Sequence, residues 1–343
     1  MVTVYDVAEA VGLSIASVSR ALNGQPGVSK ATAERIREIA DGLGYQPNEV
    51  ARSLVAKSTQ TIALLLPDIT NPFFPELVAG VQEVVDREGH VLLLSNCSDS
   101  PDRIRHNMAV LRRKQVDGVI VVAGTLGNEI GDSVFGGVPT VFLDRQVAAE
   151  GTMTIGVDHE TAAYDAVSHL IELGHTRIAH IAGPAGLAVA DQRRQGWQRA
   201  CEDSGLVADP ALLVQGDFLE DGGHAAGSVL FGGDLAVTAV FAANDLTAIG
   251  LLAYAGQHGI DVPGDVSLIG MDGIQISRYT SPPLTTVAQP ILELGRRAGE
   301  LLLDAVRSGV PHEQHEQLPT RLVLGGTTRA LDAAREQTAG VTR

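Results

Sequence analysis

Residues 3–24 read TVYDVAEAVGLSIASVSRALNG, and their spacing governs the organisation of everything before residue 46. Apolar side chains recur at Val4, Val7, Ala8 and Val11, and again at Val18, Ala21 and Leu22. That is the i, i+3, i+4, i+7 spacing of two short amphipathic helices. Gly12 falls in the tight connection between them, and Ser14 is placed to cap the second. A third run, Ile36, Ile39, Ala40 and Leu43, predicts another helix, entered from Ser29 and stopped by Gly44. Each is too short to persist alone in water, so the three must pack on one another.

Two helices joined by a short Gly-containing turn, the second entered from a Ser, form the helix-turn-helix pattern, whose second helix lies in a DNA major groove. With Val18, Ala21 and Leu22 packed on the first helix, Ile15, Ala16, Ser17, Ser19 and Arg20 are left on the outer face or its edge. Serine hydroxyls, including that of Ser14, suit phosphate oxygens. Arg20 can bond a guanine with two N–H donors, and small apolar side chains suit a thymine methyl. The pattern by itself also fits an ordinary small bundle.

Charge bears on the choice only weakly. The chain carries 41 acids against 25 bases, a formal net charge of −16. Its first sixty residues hold six bases (Arg20, Lys30, Arg35, Arg37, Arg52, Lys57) and six acids, so the acid excess lies elsewhere. Only the N-terminus is suited to approach a phosphate backbone.

At 343 residues the chain is expected to hold two or three units. A hydrophobic share of 45% with 19% charged residues is the balance of a soluble globular protein. Cys97 and Cys201 form no CxxC pair, which leaves no zinc or disulfide framework. The opening MVTVYDVAEA has acids where a secretory signal has bases, and no apolar run reaches membrane-spanning length. A cytoplasmic protein without membrane attachment is expected.

The segment PNEVARSLVAK, 47–57, fits one short helix with little apolar surface, predicted to fold only when a partner supports it. After Thr61 the texture changes. Runs such as TIALLL, HVLLLS, GVIVVAG, PTVFLD, RIAHIAG, AVTAVFAAND and VSLIGMDG alternate with helical segments. Continuous apolar strands alternating with helices imply parallel sheets covered on both faces, here enough for two sheets. The seam is placed near Val157–Thr161, with a return near Thr286–Pro290. Five divisions are expected: a helical head 1–46; a short helix and linker 47–60; a first subdomain of about 61–159 and 290–320; a second of about 160–289 and 321–328; and a frayed tail 329–343.

In open parallel sheets, ligands bind beyond the carboxyl ends of the strands. Those ends carry Asn71, Phe73 and Phe74; Asp144 and Arg145; Asp217 and Phe218; Asn244 and Asp245; Asp272; and Gln289. Carboxylates and amides can grip neighbouring hydroxyls while aromatic faces cover a ring's CH surface, so a small sugar-like ligand is the natural candidate. Asp245 fits a helix cap as well as a ligand contact, and Trp197 reads as packing. No GxGxxG, GxxxxGK[ST] or GxSxG is present, and His169, His175 and His180 show no metal-ligand spacing. No enzyme activity, cofactor or metal is expected.

The head closely resembles that of LacI/GalR-family repressors, and the resemblance continues to about Thr328. It is carried by YDVAEAVGLS, SVSRALN, GYQPNEVARSL, TNPFF, GHTRIAHIAGP, AANDLTAIG, DVSLIGMDG and PPLTTVAQP. The resemblance implies a helix-turn-helix head on an α/β core of two Rossmann-like parallel-sheet subdomains, similar to type I periplasmic binding proteins. It also implies a homodimer on a near-palindromic operator. By the same resemblance Ile15, Ala16 and Arg20 match the base readers; Ser14, Ser17, Ser19 and Asn23 join the DNA face; Ala51 and Arg52 lie on the hinge helix; and Leu54 wedges into the minor groove.

The core further resembles ribose-binding proteins and ribose-type repressors. That likeness assigns a ligand to Asn71, Phe73, Phe74, Asp144, Arg145, Phe218, Asn244, Asp272 and Gln289. Where sugar-binding relatives place an arginine ahead of the GW or GF motif, this chain has Asp191, so Asp191 is expected at the ligand and the preferred ligand widens from ribose to a related pentose or nucleoside. The alternative reading is a solute-binding sugar receptor without a regulatory DNA role.

Overall fold

The computed structural model describes residues 2–45, 58–97, 100–122, 135–144, 152–233, 235–309 and 313–331. The chain divides into two compact units, Met1–Thr59 and Gln60–Arg343.

The head contains α1 (Val4–Val11), α2 (Ile15–Leu22) and α3 (Lys30–Gly42). Thr3 and Asp6 form a reciprocal capping box at the start of α1, and those two bonds to Thr3 hold the exposed Asp6 carboxyl below its ordinary range. Gly12, at φ 72°, ends α1 in a left-handed cap, a conformation that costs a glycine little. Ser14 then accepts from Ser17 N at 3.2 Å to open α2, and Ser29 accepts from Thr32 N at 3.2 Å to open α3. The apolar stripes meet in one small core of Val7, Ala8, Val11, Val18, Ala21, Ile36 and Ala40. Arg37 Nη2 donates to the Ala21 carbonyl at 3.3 Å, tying α3 to the end of α2. The expected hinge helix, 47–57, lies outside the described residues.

The second unit contains two six-stranded sheets. The first has the order β11-β5-β4-β3-β1-β2, all parallel, from β1 (Thr61–Leu66), β2 (Val91–Asn96), β3 (Gly118–Val122), β4 (Thr140–Leu143), β5 (Met153–Gly156) and β11 (Gln314–Gln317). Along β1, Ile62, Leu64 and Leu66 join a core with α4 (Phe73–Arg87) and α10 (Ile291–Ser308). The alternate Ala63 and Leu65 join a separate core with Ile104, Met108 and Leu111 of α5 (Pro101–Arg113). Period-two alternation onto two buried faces is why TIALLL is apolar throughout. The α4 and α10 backbones cross closely: a Cβ on Gly80 would lie 2.1 Å from the Leu292 carbonyl oxygen.

The second sheet has the order β12-β10-β9-β8-β6-β7, from β6 (Ile178–Ala182), β7 (Leu213–Gln215), β8 (Ala239–Ala242), β9 (Ser267–Asp272), β10 (Thr285–Ala288) and β12 (Arg321–Val323). Only β12 runs antiparallel to its neighbour, β10. Two helix pairs cover it: α6 (His159–Glu172) on α7 (Ala188–Asp203), and α8 (Glu220–Phe231) on α9 (Asp245–His258). Its core includes Trp197, whose Nε1 donates to the Ile178 carbonyl at 3.1 Å, and Phe241. The packing reading of Trp197 therefore describes its position.

The chain passes from the first sheet to the second between β5 and α6, returns between β10 and α10, and crosses once more between β11 and β12. Order also continues past Thr328. Arg329 N donates to Ser267 Oγ at 3.1 Å and Leu331 N to the Leu173 carbonyl at 2.7 Å, so residues 329–331 are held where fraying was expected, and 332–343 lie outside the described residues. Backbone bonds to a neighbouring element hold this stretch without any apolar pattern in its sequence.

Candidate functional site

On the head, α2 turns Val18 and Ala21 inward and leaves Ile15, Ala16, Arg20 and Asn23 exposed, with Ser17 and Ser19 half-buried. The polar groups on this face already have local partners. Ser14 Oγ lies 2.9 Å from Ser17 Oγ, Asn23 Nδ2 donates to Ser19 Oγ at 3.4 Å, and Arg20 Nε donates to the Ala16 carbonyl at 3.1 Å. These are weak surface bonds, so a DNA partner could take over the same donors. Ala51, Arg52 and Leu54 lie outside the described residues.

In the second unit one cavity of about 100 Å³ opens at the carboxyl ends of both sheets. One water needs roughly 10–15 Å³ of such space, so the cavity holds several waters or a small ring. Asn71, Phe73, Phe74, Asp144, Phe218, Asn244, Asp272 and Gln289 all line it. Arg145 lies outside the described residues. Three liners are non-glycine residues with left-handed backbones: Asp144 at φ 51°, Phe218 at 67° and Asp272 at 117°. Such conformations cost about 1–3 kcal/mol each and persist where surrounding structure holds a side chain in a required direction.

Part of the polar set is internally committed. Asn244 caps α9 by accepting from Thr247 N at 3.0 Å, and its Nδ2 donates to the Phe218 carbonyl at 2.9 Å. Asn71 Oδ1 accepts from Phe73 N at 3.0 Å at the entrance to α4. Asp245, the first residue of α9, is wholly buried and accepts from Ile274 N and Thr286 Oγ1. Asp245 is thus a structural carboxylate behind the cavity, while its neighbour Asn244 is the cap.

The charged heart of the site is a relay. Asp144 Oδ1 stands 3.1 Å from His159 Nε2, and Arg193 Nη2 lies 3.3 Å from His159 Nδ1. The same Nη2 donates to Asp272 Oδ1 at 3.1 Å, and Gln289 Nε2 donates to that oxygen at 2.8 Å. Arg193 Nη1 is anchored on the Ala243 carbonyl at 2.5 Å. Gln289 Oε1 is buried with no partner among the described residues, an acceptor for a ligand hydroxyl or N–H.

Burial sets the electrostatics. It pushes the Asp272 carboxyl up, an effect that Arg193 and Gln289 offset only in part. At Asp144 burial acts in the same direction but is outweighed by His159, Arg193 and the Val157 N–H, which hold the carboxyl below its ordinary range. Asp245 lies far above that range, through burial first and then repulsion from Asp272.

The expectation for Asp191 is corrected. Its side chain is about half exposed, pairs with Arg194 at 3.4 Å and does not line the cavity. Arg193 lines it instead, at 5% exposure. The helix period explains the difference, because position 193 shares the buried stripe of Ala190, Trp197 and Ala200, whereas 191 and 194 face water. That stripe was available in the sequence. Pro67, Val122, Leu143, Leu187 and Val189 complete the lining; being apolar, they look like any core residue in a sequence.

The sequence matches the family described as bacterial regulatory proteins, lacI family, over residues 3–48, and a periplasmic binding protein-like domain over residues 167–328. It is 34% identical over 330 residues to the HTH-type transcriptional repressor CytR of Escherichia coli (strain K12), covering 96% of this chain and 97% of that one. The chain belongs to the lacI family of bacterial regulatory proteins. Among solved structures, the lac repressor dimer bound to operator and the anti-inducer ONPF superposes with a TM-score of 0.86 at 28% identity, covering 96% of this chain and 99% of that one. A LacI-family regulator from Enterococcus faecium with bound ribose gives 0.72 at 32% identity, covering 79% and 100%. The helical head and paired parallel-sheet lobes are those of the lacI family, and this lacI-family chain is a DNA-binding transcriptional regulator rather than an enzyme. Among the described residues no helix is long and apolar enough to cross a membrane.

Proposed function

We propose that the protein is a homodimeric repressor acting in the cytoplasm, which grips a near-palindromic operator with two heads and responds to a small sugar-like effector in the core cavity. The observation that carries the effector reading is the convergence of Asp144, Phe218 and Asp272, each with a left-handed backbone, on one cavity beside Arg193 and Gln289, whose Oε1 has no partner among the described residues. Hydroxyl groups suit these acceptors, and Phe73, Phe74 and Phe218 supply faces for a ring. The ribose found in the Enterococcus faecium relative supports a pentose, and a nucleoside extends the same ring.

On DNA, α2 enters the major groove with Ile15, Ala16 and Arg20 at base edges and Ser14, Ser17, Ser19 and Asn23 near phosphates. Ala51, Arg52 and Leu54 carry the hinge contact. A two-fold dimer suits two half-sites, and the lac repressor neighbour is a dimer bound to operator. Effector and operator act on one conformational equilibrium of the lobes, with a coupling of about 1–3 kcal/mol sufficient for control. A thermal-shift screen of pentoses, hexoses and nucleosides tests the cavity, because a ligand that binds the native state raises Tm by mass action. No shift with any of them counts against a sugar-like effector. Operator selection from random duplexes tests the head, and recovery of no palindromic site counts against the DNA reading.

A further inference from the structure

His159 is absent from the cavity wall, yet it touches a charged wall residue from each lobe. It is the first residue of α6, directly after the passage from β5, and is 2% exposed. Asp144 approaches from the end of β4 in the first sheet, and Arg193 from α7 over the second. Arginine can only donate, so its approach to Nδ1 at 3.3 and 3.4 Å requires a lone pair there. The single ring proton of a neutral imidazole then sits on Nε2 and faces Asp144 at 3.1 Å. At 3.1 Å the contact is a close electrostatic approach that falls short of hydrogen-bond geometry.

We infer that His159, held as the Nε2–H tautomer, is a positioning residue that couples the first-lobe carboxylate Asp144 to the second-lobe guanidinium Arg193 and so links the two walls of the cavity. The relay continues through Asp272 to Gln289, the last residue but one before α10, so it touches two of the three passages between the sheets. A ligand that engages Asp144 or Arg193 therefore acts on the other wall through this ring. The consequence for regulation rests on the proposed sugar-like effector; the coupling itself does not.

The test uses the full chain without ligand. Long-range proton–nitrogen spectra of histidine-labelled protein at pH 7.5, with the His159 signal assigned by its loss in His159→Gln, should show a protonated Nε2 and a bare Nδ1. A proton on Nδ1 overturns the inference. Urea unfolding of Asp144→Asn, Arg193→Met and the double variant should give a coupling of roughly tenfold in the unfolding constant, within the range for groups sharing a network. In a His159→Leu background that coupling should fall below about threefold, and in His159→Gln, which keeps one N–H donor and one carbonyl acceptor, it should return. Equal coupling in the wild-type and leucine backgrounds overturns the proposal, as does a glutamine variant that behaves like leucine. Should His159→Leu fail to fold, the tautomer and the glutamine rescue decide the matter. Absence of any sugar response would sink the effector reading and leave these results standing.

Discussion

Replacing Arg193 by Met removes the one cation that the described structure places among Asp144, Asp272 and His159, while keeping most of the side chain's volume. The guanidinium is 5% exposed and bonds Ala243 O at 2.5 Å, His159 Nδ1 at 3.3 Å and Asp272 Oδ1 at 3.1 Å. Removing one partner of such a buried pair strands the other, at a cost of about 3–5 kcal/mol. The loss should depend on pH. Burial already raises the folded-state carboxyl of Asp272 above its ordinary value of 3.8, so protonation favours folding and stability is lost as pH rises through the window above 3.8. Without Arg193 that folded value climbs further and the window widens upward. Urea unfolding should therefore show the full penalty at pH 7.5 and a much smaller one below pH ~3, where Asp272 is protonated in both states. Asp272→Asn in the Arg193→Met background should recover most of the loss at pH 7.5. An equal penalty at both pH values, or no recovery with asparagine, would refute the relay.

The same geometry and chemistry set further outcomes. Arg20→Ala should relax base preference at one symmetric position of each half-site, by about 1–3 kcal/mol of discrimination, and an unchanged selection profile would remove Arg20 from base reading. Leu54→Ala should weaken specific operator binding far more than non-specific binding, because unstacking by a wedge is repaid only on a deformable site; equal losses by anisotropy would exclude the wedge. His180 is wholly buried between Trp197 and Phe241, its ring pushed down from 6.5 to about 4 by burial despite a 3.0 Å bond to the Phe241 carbonyl. Its stabilising contribution is complete above pH 6.5 and is lost as pH falls through about 4. Wild type should thus lose on the order of 3 kcal/mol more than His180→Phe between pH 7.5 and 3.5, and parallel pH profiles would contradict this.

The head and the apolar strands were legible because their signals are local. Helical spacing defines α1 to α3, serine caps open α2 and α3, and two-faced burial makes β1, β3 and β8 nearly continuous apolar runs. β11 was not legible. Its residues, QHEQ, are polar and largely exposed, and it exists as an edge strand because its backbone pairs with β5. The cavity's composition could be read from the residues at each strand's carboxyl end, but its internal wiring could not. Asn244 is spent on a helix cap, and His159 meets Asp144 and Arg193 only through the tertiary fold. Asp191 holds the position to which the resemblance points, but on α7 the helix period decides which side chain turns inward, and it turns Arg193.

The most direct measurement is fluorescence anisotropy of the full-length protein on its selected duplex, at fixed moderate salt, titrated with and without the sugar or nucleoside that gives the largest thermal shift. A two-fold-symmetric site bound in preference to random duplex, with an affinity that the ligand changes roughly 5- to 150-fold, is the predicted result. Equal affinity for every duplex, or operator binding indifferent to a ligand that demonstrably occupies the core, would contradict the account.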